Sequence, residues 1–483
     1  MIIITIDVCL VVPQGRTTSL IPPLALMCIA GYLIKHDIKT NIIDLKTSPY
    51  NETFDKNEII KKIIEQIKIA NPKIVGITCL SPEVKDVLYL STLIKKELDV
   101  TIVVGGVHPT LYPNDLIYEN SPVDYAVIGE GEVTMFELAE NILHQQDASK
   151  TKGCAYFKDK MVLTETRPYI ENLDDIPILP YELINMEFYL RPTVLMVRTV
   201  FISGMYLFTG RGCPYNCRFC AAKNIWNRKV RFRSCKSVVD EIEYLIKTYS
   251  IDGIYIFDDT FAITKDRVIE ICNEIKRRKL NFVWGCETRV NTITDVMVKA
   301  MKSAGCIQID FGVESGSQRV LDDLCKGITI DQIKTAFKIC KDNKINTFAN
   351  ILFNTIDENE EDVKETIDLC NEIKPNICSF AIMTPFPGTD IYSKIKPLSI
   401  DEYHLFSPAP FIFNPRFKFS KHNIDLEALI HDLYKQNRAY KSLLFASLNL
   451  NYINQILKSK RKLKYVFEFG SFIKYWIPRM IRF

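Results

Sequence analysis

Three cysteines, Cys213, Cys217 and Cys220, lie close together in the sequence with the spacing C-x₃-C-x₂-C. Thiols grouped in this way occur in zinc sites, in disulfide frameworks and among the ligands of iron–sulfur clusters. A structural zinc site requires four ligands, usually in two pairs, and no second C-x₂-C or H-x₃-H pair follows in this chain. The spacing therefore favours an iron–sulfur cluster over zinc.

The number of thiols in this group indicates what such a cluster does. A four-iron cluster used only for electron transfer normally has four cysteine ligands, whereas three leave one iron without a protein ligand. That iron can bind a substrate or a cofactor, so the missing ligand marks the predicted site of chemistry. Most other cysteines stand alone in apolar runs, where they are expected to be free and buried, and a reducing compartment disfavours a disulfide framework.

The residues around the cysteines alternate apolar runs with amphipathic segments, as successive βα units do. Six apolar runs, from MYLFTG to ICSFAIMTPF, are separated by segments with helical periodicity such as SVVDEIEYLIKTY. This alternation predicts a partial (β/α)₆ barrel over residues 196–400, with its chemistry on the loops that follow the strands. The cysteines lie in the loop after the first of these strands.

Residues 1–145 show a second alternation, with the apolar runs IIITID, TNIIDL, KIVGITCL, TIVVGG and DYAVIGEG. Because these runs lack a period of two, they predict strands buried on both faces of a doubly wound, Rossmann-like parallel sheet. Ligands of such sheets bind beyond the carboxyl ends of the strands, where glycines let a backbone approach closely. The candidate residues at those ends are Thr78, Gly105, Gly106, His108, Gly129, Glu130 and Gly131.

The rest of the chain is a connector and a C-terminal extension. Residues 146–195 contain proline and acidic residues, as in ENLDDIPILPYE, and residues 401–483 follow the last predicted barrel strand. The predicted fold class is therefore α/β, with a doubly wound parallel sheet followed by a partial barrel and a helical, basic and aromatic C-terminal region.

The last segment, residues 458–483, contains eight Lys and Arg residues, seven aromatic residues and one acid, Glu468, which gives a net charge of +7. Aromatic and basic residues mixed in this way suit a membrane interface that carries anionic lipids. A helix packed on the barrel with a solvated basic face is the alternative. The segment therefore predicts peripheral membrane contact, and no nucleic-acid partner is expected because nothing else in the chain supports one.

The composition is that of an ordinary globular protein with two or three domains: 483 residues, 47% hydrophobic, 25% charged and a formal net charge of +3. The opening MIIITIDVCLVV lacks the basic start and the cleavage site of a signal peptide. The longest apolar stretch, residues 20–34, is too short to span a bilayer. We therefore expect a cytoplasmic protein, with membrane association at the inner face.

Several motifs occur in a fixed order along the chain. VVGGVHPT and IGEGE precede RGCPYNCRFC, and FDDTF, CETRV, FGVESGSQRVL and TPFPGT follow it. Together they resemble the radical S-adenosylmethionine enzymes, in particular the subgroup with an N-terminal cobalamin-binding domain, over nearly the whole chain. The resemblance implies a [4Fe–4S] cluster on Cys213, Cys217 and Cys220, S-adenosylmethionine on the open iron, and cobalamin on the N-terminal domain.

The resemblance also implies cofactor-binding roles, though no catalytic residue, for six residues of the barrel: Phe219, Asp258, Asp259, Glu287, Glu314 and Ser315. Asp258 and Asp259 end the second strand, where the family places the group that meets the methionine amine; a helix N-cap is the alternative. Glu287 and Glu314 end the third and fourth strands. There a carboxylate is expected either to accept the ribose hydroxyls or to pair with Arg289.

The N-terminal domain departs from one pattern of cobalamin domains. Domains of the methionine-synthase type carry D-x-H-x-x-G, whose histidine replaces the lower ligand of cobalt, whereas the loop DVCLVVPQGRTTS has no histidine. Cobalamin is therefore expected to lack a histidine ligand from that motif, and a degenerate domain without cobalamin is the alternative. His108, which follows Gly105 and Gly106, is a candidate contact for the nucleotide tail.

The resemblance implies an anaerobic enzyme that abstracts hydrogen from an unactivated carbon, with reduced flavodoxin or ferredoxin as its electron donor. Methyl transfer through methylcobalamin is the first choice of reaction, because cobalt can hold a methyl group above a substrate radical. Radical cyclisation or carbon–carbon coupling is the alternative within the same fold. A non-catalytic cobalamin or redox sensor is the alternative of another class. With the basic C-terminus, the expected substrate is hydrophobic or lipid-like, as for the hopanoid methylases of this subgroup.

Overall fold

A computed structural model describes residues 6–13, 20–47, 55–194, 196–198, 200–406, 412–436 and 455–465. The chain forms two compact units. The first comprises Met1–Phe188 together with Phe386–Pro408, and the second comprises Tyr189–Pro385 together with Ala409–Phe483. The second unit holds the cysteine group, and the first holds the glycine-rich strand ends.

The first unit contains a seven-stranded sheet and the helices around it. The strands are β1 (Val8–Val12), β2 (Thr40–Asp44), β3 (Ile74–Thr78), β4 (Thr101–Gly105), β5 (Tyr125–Val127), β6 (Cys154–Phe157) and β7 (Met161–Leu163). The helices are α1 (Leu24–Lys35), α2 (Lys56–Ala70), α3 (Val84–Glu97), α4 (Val107–Leu111) and α5 (Glu132–Leu143), and the short α6 (Met186–Tyr189) lies at the boundary of the two units.

The strand order of this sheet is β2-β1-β3-β4-β5-β6-β7, and the first five strands are parallel. Every residue of β1 is buried, as expected of a central strand covered on both faces. The order reverses between β1 and β3, and ligands of open α/β sheets bind at such a reversal. The doubly wound sheet predicted from the sequence is therefore confirmed.

Two features of the first unit were not expected from the sequence. The predicted connector, residues 146–195, contributes β6 and β7, which extend the sheet as antiparallel strands. Residues Phe386–Pro408, which follow the barrel strands in sequence, belong to the first unit. There the Tyr403 hydroxyl donates to Asp115 Oδ2 at 2.8 Å, and Lys85 pairs with Asp401 at 2.7 Å.

The second unit contains a six-stranded sheet, a two-stranded ribbon and the helices around them. The strands are β8 (Gly204–Leu207), β9 (Gly210–Arg211), β10 (Arg231–Phe232), β11 (Gly253–Ile256), β12 (Val283–Thr288), β13 (Cys306–Glu314), β14 (Asn346–Phe353) and β15 (Ile377–Ile382). The helices are α7 (Ala222–Trp226), α8 (Cys235–Tyr249), α9 (Lys265–Arg277), α10 (Asp295–Ser303), α11 (Gln318–Asp323), α12 (Ile330–Asp342), α13 (Glu360–Ile373) and α14 (Leu426–Gln436).

The six long strands run in the order β15-β14-β13-β12-β11-β8 and are all parallel, so the predicted partial barrel is confirmed. Polar residues begin the helices between them. Ser234 caps α8 by accepting the Ser237 N–H at 3.1 Å, and Thr329 begins α12 in a capping box with Gln332. Because the six strands are parallel, their carboxyl ends all lie at one edge of the sheet.

Residues 455–465 of the C-terminal extension bind near the amino end of β11 in the second unit. Asp252, just before β11, accepts hydrogen bonds from Gln455 at 3.2 Å, Ser459 at 2.6 Å and Tyr465 at 3.0 Å. Most of the predicted membrane segment, residues 466–483, lies outside the described residues. In the part of the chain that is described, no helix has both the length and the apolar character needed to cross a membrane.

Candidate functional site

The cysteine loop follows the first barrel strand and begins in the ribbon of β9 and β10. The two short strands pair antiparallel, with Arg231 opposite Arg211. Gly212 then turns the chain with a φ of +94°. A Cβ at this position would collide with the carbonyl oxygen of Lys229, so the turn into Cys213 requires glycine.

The three cysteines form no disulfide with one another, and they differ in burial. Cys217 is buried, whereas Cys213 and Cys220 are half-buried, and the Cys213 sulfur lies 3.6 Å from the Thr260 hydroxyl. Arg218 anchors the loop, because its guanidinium donates to the Asp323 carboxylate at 2.6 Å and to the Asp323 carbonyl at 3.0 Å. The loop is therefore fixed against α11 while its thiols remain unpaired with each other.

Asp258 and Asp259 hold the backbone that leads into the cysteine loop. Asp258 is buried and accepts the Thr209 N–H and hydroxyl, both at 2.5 Å, and the Gly210 N–H at 3.1 Å. Asp259 accepts the Gly212 N–H at 3.0 Å. Burial raises the pKa of both carboxyls, against these hydrogen bonds. Neither residue is the N-cap of α9, since that position is Thr264.

Glu287 belongs to a polar network inside the barrel. The Tyr255 hydroxyl lies 3.1 Å from Glu287 Oε1 and 2.7 Å from Asp310 Oδ2. Asp310 also pairs with Arg198 and accepts the Gln308 amide at 2.6 Å. Burial, and then the charge of Asp310, raise the pKa of Glu287 to about 7. The network places an acid that titrates near neutral pH at the carboxyl end of β12.

Glu314 and Ser315 end β13 but have different surroundings. Glu314 adopts a φ of +69° and pairs with Lys326 at 2.6 Å, with both side chains 7% exposed. The Ser315 hydroxyl lies 3.0 Å from Thr366 and accepts the Ser317 N–H at 3.1 Å, so it organises the turn into α11. The Phe219 ring lies 5.6 Å from the Lys326 ammonium. Lys326, which the sequence analysis did not single out, thus joins Glu314 to the cysteine loop.

Arg289 is the second cation beside the cysteine loop. Its Nη1 donates to the Cys217 sulfur at 3.4 Å, its guanidinium lies 3.7 Å from the centre of the Tyr215 ring, and its Nη2 donates to the Lys326 carbonyl. Among the described residues Arg289 pairs with neither Glu287 nor Glu314, so the alternative of a salt bridge with these acids does not form. No sequence signal indicated that this arginine would turn toward the cysteines.

The surroundings of the three cysteines fit an iron–sulfur cluster. Within the described ranges no group of three or more His, Cys, Asp and Glu side chains is arranged to hold a single metal ion. A four-iron cluster binds each cysteine at a separate iron, so its ligands stand further apart than those of one ion. Arg289 is 5% exposed and points a positive charge at Cys217, as an anionic cluster would require.

In the first unit the predicted strand-end residues Thr78, Gly105 and Gly106 lie together. The Cys79 N–H donates to the Gly105 carbonyl at 2.8 Å. Gly106 adopts a φ of +116°, and a Cβ there would lie 3.0 Å from the Cys79 carbonyl oxygen and 3.2 Å from the Thr78 hydroxyl. The glycine therefore keeps the carboxyl ends of β3 and β4 free of side chains, which suits the close approach of a large ligand.

His108 follows these glycines on α4 and is fully buried. Its Nδ1 lies 3.0 Å from the Ser81 hydroxyl, and its Nε2 lies 3.2 Å from Asp115 Oδ2. The Tyr403 ring packs against it with the ring centres 5.4 Å apart. The contact of Nε2 with Asp115 lacks hydrogen-bond geometry, so within the described residues only Nδ1 has a hydrogen-bond partner.

Gly129, Glu130 and Gly131 follow β5. Gly129 adopts a φ of +78°, has open space where a Cβ would project, and donates its N–H to the Thr110 hydroxyl at 3.0 Å. Glu130 accepts the Ile170 N–H at 2.8 Å, and Gly131 begins α5. Like Gly106, these glycines leave backbone without side chains at a strand end, which is compatible with the close approach of a large ligand such as cobalamin. The loop after β1, where a D-x-H-x-x-G motif would lie, is partly outside the described residues.

Comparison with known proteins identifies both parts of the chain. Residues 207–370 match the family model of the radical SAM superfamily, and residues 14–139 match that of the B12-binding domain. An uncharacterized methyltransferase of Pyrococcus horikoshii is 34% identical over 77% of this chain and 78% of its own length. The anaerobic magnesium-protoporphyrin IX monomethyl ester cyclase of Rubrivivax gelatinosus is 31% identical over 80% of this chain and 69% of its own.

A solved structure supports the fold over the same extent. The radical S-adenosylmethionine methyltransferase TsrM of Kitasatospora setae superposes with a TM-score of 0.70 at 19% sequence identity. The superposition covers 89% of this chain and 88% of that one. The likeness therefore confirms the succession of a doubly wound sheet and a partial barrel.

Proposed function

Because the chain belongs to the radical SAM superfamily, in the group that carries a B12-binding domain, we propose that it transfers a methyl group to an unactivated carbon. The domains imply a [4Fe–4S] cluster, S-adenosylmethionine and cobalamin as cofactors, and enzymes of this superfamily need an external reductant. The observation that carries the proposal is the group of three thiols that follows the first barrel strand, beside which the described residues place no fourth cysteine in the same loop.

When bound, these cofactors supply hydrogen abstraction from carbon and a transferable methyl group. In this proposal Cys213, Cys217 and Cys220 bind three irons, and Arg218 and Gly212 fix the loop that carries them. Three cysteines would leave one position of such a cluster without a protein ligand, available to S-adenosylmethionine. The chain thereby directs the cofactor to one corner of the cluster.

The barrel residues divide by their contacts into two proposed roles. Asp259, Glu287 and Glu314 are the candidates for S-adenosylmethionine, because each retains carboxylate oxygens near the strand ends, and Phe219 borders the same region. Asp258 and Ser315 act by positioning, since their hydrogen bonds fix the turns that lead into the cysteine loop and into α11. In the first unit we assign Thr78, Gly105, Gly106, Gly129, Glu130 and Gly131 to the cobalamin surface, with His108 beneath it.

The test is made on protein purified and reconstituted without oxygen. With a chemical reductant the wild type should hold the cluster and convert S-adenosylmethionine to methionine and 5′-deoxyadenosine. Replacing Cys213, Cys217 and Cys220 by Ala should abolish both, whereas Cys340→Ala should leave both intact because that buried thiol of α12 lies near Cys306, at the amino end of β13. Iron retained by the triple variant would contradict the ligand assignment.

Cobalamin binding separates the proposed reaction from its alternatives. Reconstituted protein should retain cobalamin in a form without a nitrogen ligand from the protein, as optical and electron paramagnetic resonance spectra report. Failure to bind cobalamin would favour radical cyclisation or carbon–carbon coupling. Retention of cobalamin without any cleavage of S-adenosylmethionine would favour a non-catalytic sensor.

We propose further that the enzyme contacts an anionic membrane surface through residues 458–483 and acts on a hydrophobic substrate. In the described part of this segment and just before it, Leu457 is 64% exposed and Leu463 is 77% exposed, with lysines between them. Each lysine near an anionic bilayer contributes about 1 kcal/mol, and the leucines can enter the interface. Flavodoxin or ferredoxin is the class of electron donor that we propose.

Vesicle co-sedimentation tests this contact. Replacing Lys458, Lys460 and Lys462 by Gln should weaken binding to vesicles rich in anionic lipid by about 100-fold, since about 1 kcal/mol is lost at each position. Replacing Lys150, Lys158 and Lys160 by Gln removes the same charge from exposed positions of the first unit and should have little effect. Equal binding by both variants, or none by the wild type, would exclude the proposed surface.

A further inference from the structure

Arg289 is a buried cation for which the described residues provide no carboxylate. It is 5% exposed, and its polar contacts there are the Cys217 sulfur at 3.4 Å, the carbonyl of Lys326 and the side chain of Asn291 at 3.4 Å. The face of its guanidinium is covered by the Tyr215 ring at 3.7 Å. A buried guanidinium is stable only when an anion or a sufficient set of acceptors compensates it.

Three acids at the carboxyl ends of β11, β12 and β13 are engaged with other partners. Glu314 pairs with Lys326 at 2.6 Å, Glu287 meets the Tyr255 hydroxyl at 3.1 Å, and Asp259 accepts the Gly212 N–H at 3.0 Å. Because each carboxyl has its own partner, the group left to balance Arg289 is the sulfur of Cys217. A neutral thiol is a weak acceptor, whereas a thiolate bound to iron carries negative charge.

We propose that Arg289 is the charge partner of the iron–sulfur cluster, acting through Cys217, and that it raises the reduction potential of the cluster. This inference rests on the proposed cofactor. Reduction adds one electron from the external donor to the cluster and breaks no bond, so the cluster becomes more negative by one charge. A fixed cation and an N–H···S hydrogen bond stabilise that reduced state more than the oxidised one.

The contacts of Arg289 also explain why arginine suits this position. The planar guanidinium can stack on Tyr215 and still direct one N–H to sulfur and another to the Lys326 carbonyl. Lysine would keep the charge but could not make all three contacts, with the Tyr215 ring, the Cys217 sulfur and the Lys326 carbonyl. Arg289 is therefore a positioning and tuning residue, and it touches a ligand of the cluster without itself binding iron.

The experiment compares the cluster's midpoint potential in reconstituted wild type and three variants, by redox titration followed with electron paramagnetic resonance. Arg289→Gln should have a lower potential than wild type, and Arg289→Lys should lie between them. Arg228→Gln is the matched control. Arg228 donates to the Pro214 carbonyl of the same loop at 3.0 Å, and its contacts in the described structure include no sulfur, so its potential should equal that of wild type.

Equal potentials in wild type and Arg289→Gln, at equal iron content, would overturn the inference and leave the proposed cofactor standing. If Arg289→Gln fails to hold iron, Arg289→Lys decides: a potential below wild type supports the role, and an equal potential overturns it. A fall in potential in Arg228→Gln that equals the fall in Arg289→Gln would also overturn it, because the loss of any positive charge near the loop would then explain the effect. A wild type without a cluster would overturn both the proposed function and this inference.

Discussion

At the scale of single residues, the hydrogen bonds of Tyr255 inside the barrel indicate which neighbouring carboxyl carries a proton. The Tyr255 hydroxyl has one proton but lies within hydrogen-bond distance of two carboxyls, Asp310 at 2.7 Å and Glu287 at 3.1 Å. Burial raises the pKa of Asp310 as well, but Arg198 and Gln308 are further partners that oppose this rise and favour its ionised form. The Tyr255 hydroxyl can donate its one proton to only one of the two carboxyls, and if it donates to Asp310, a protonated Glu287 can in turn donate a hydrogen bond to the Tyr255 oxygen. This arrangement requires Glu287 to be a neutral acid.

The proton assigned to Glu287 predicts that the stability of the protein depends on pH. The pKa of Glu287 rises from its ordinary 4.5 to about 7, mainly through burial and then through Asp310. Because the folded state holds this proton more tightly, the stabilisation is complete below about pH 4.5 and is lost as the pH rises through about 7. Between pH 5 and 8, wild type should therefore lose up to about 3 kcal/mol of unfolding free energy relative to Glu287→Gln.

Chemical denaturation of both proteins across this range is the measurement. Glu119→Gln, at an exposed position of the first unit, is the control and should follow the wild-type profile. Parallel profiles for wild type and Glu287→Gln would show that Glu287 is already ionised, and the assignment of its proton would then be wrong.

At the scale of elements, the ribbon of β9 and β10 determines where the cysteine loop begins. Gly212 leaves the ribbon with a φ of +94°, and a Cβ there would meet the Lys229 carbonyl, whose residue lies in the returning chain. Asp259 accepts the Gly212 N–H at 3.0 Å, so the same residue links the ribbon to the end of β11. A displaced Gly212 would therefore move Cys213 relative to the barrel.

We predict that Gly212→Ala impairs cluster assembly more than a positive φ alone explains. Alanine in this backbone conformation costs about 1 kcal/mol, and the collision with Lys229 adds displacement of the loop. Gly129→Ala is the matched control, because Gly129 has a φ of +78° with nothing within 4 Å of the Cβ position. Iron content after reconstitution should fall in Gly212→Ala and stay near wild type in Gly129→Ala. Equal iron content in both would contradict the role of the ribbon.

The alternation of apolar and amphipathic segments predicted the elements well, because strands buried on both faces and capped helices are local properties of the sequence. The parallel strands β1–β5 and the six barrel strands are confirmed for this reason. The antiparallel β6 and β7 were missed, since strands of four and three residues are too short to carry a clear pattern. The two-residue strands of the ribbon are too short to produce any periodicity.

Side-chain partners at the site were less predictable than the elements. Spacing identified the cysteines because all three lie in one loop. The contacts of Arg289 with Cys217 and of Lys326 with Glu314 join different strand ends, so they depend on strand order and on φ values that sequence patterns do not contain. The roles given to the other site residues stay predictions that cofactor binding must test.

At the scale of the whole molecule, each compact unit is completed by a distant part of the chain. Residues Phe386–Pro408 return to the first unit, where Tyr403 donates to Asp115 at 2.8 Å. Residues 455–465 return to the second unit and surround Asp252, whose pKa burial raises against the hydrogen bonds of Ser459 and Tyr465. The described part of the basic segment is thus a structural anchor, whatever its surface binds.

This anchoring predicts that Tyr465 stabilises the barrel through its hydroxyl. The hydroxyl accepts the buried Ser203 N–H at 2.8 Å and donates to Asp252 Oδ2 at 3.0 Å. Tyr465→Phe leaves that N–H without a partner and should lower the unfolding free energy of the full chain by about 1–3 kcal/mol. Tyr118→Phe, at a side chain 42% exposed, should change it little.

Because truncation after Leu457 removes Ser459 as well as Tyr465, the truncated chain should be less stable than Tyr465→Phe in the same denaturation experiment. Equal stability of wild type and Tyr465→Phe would show that the segment does not anchor through the hydroxyl of this residue.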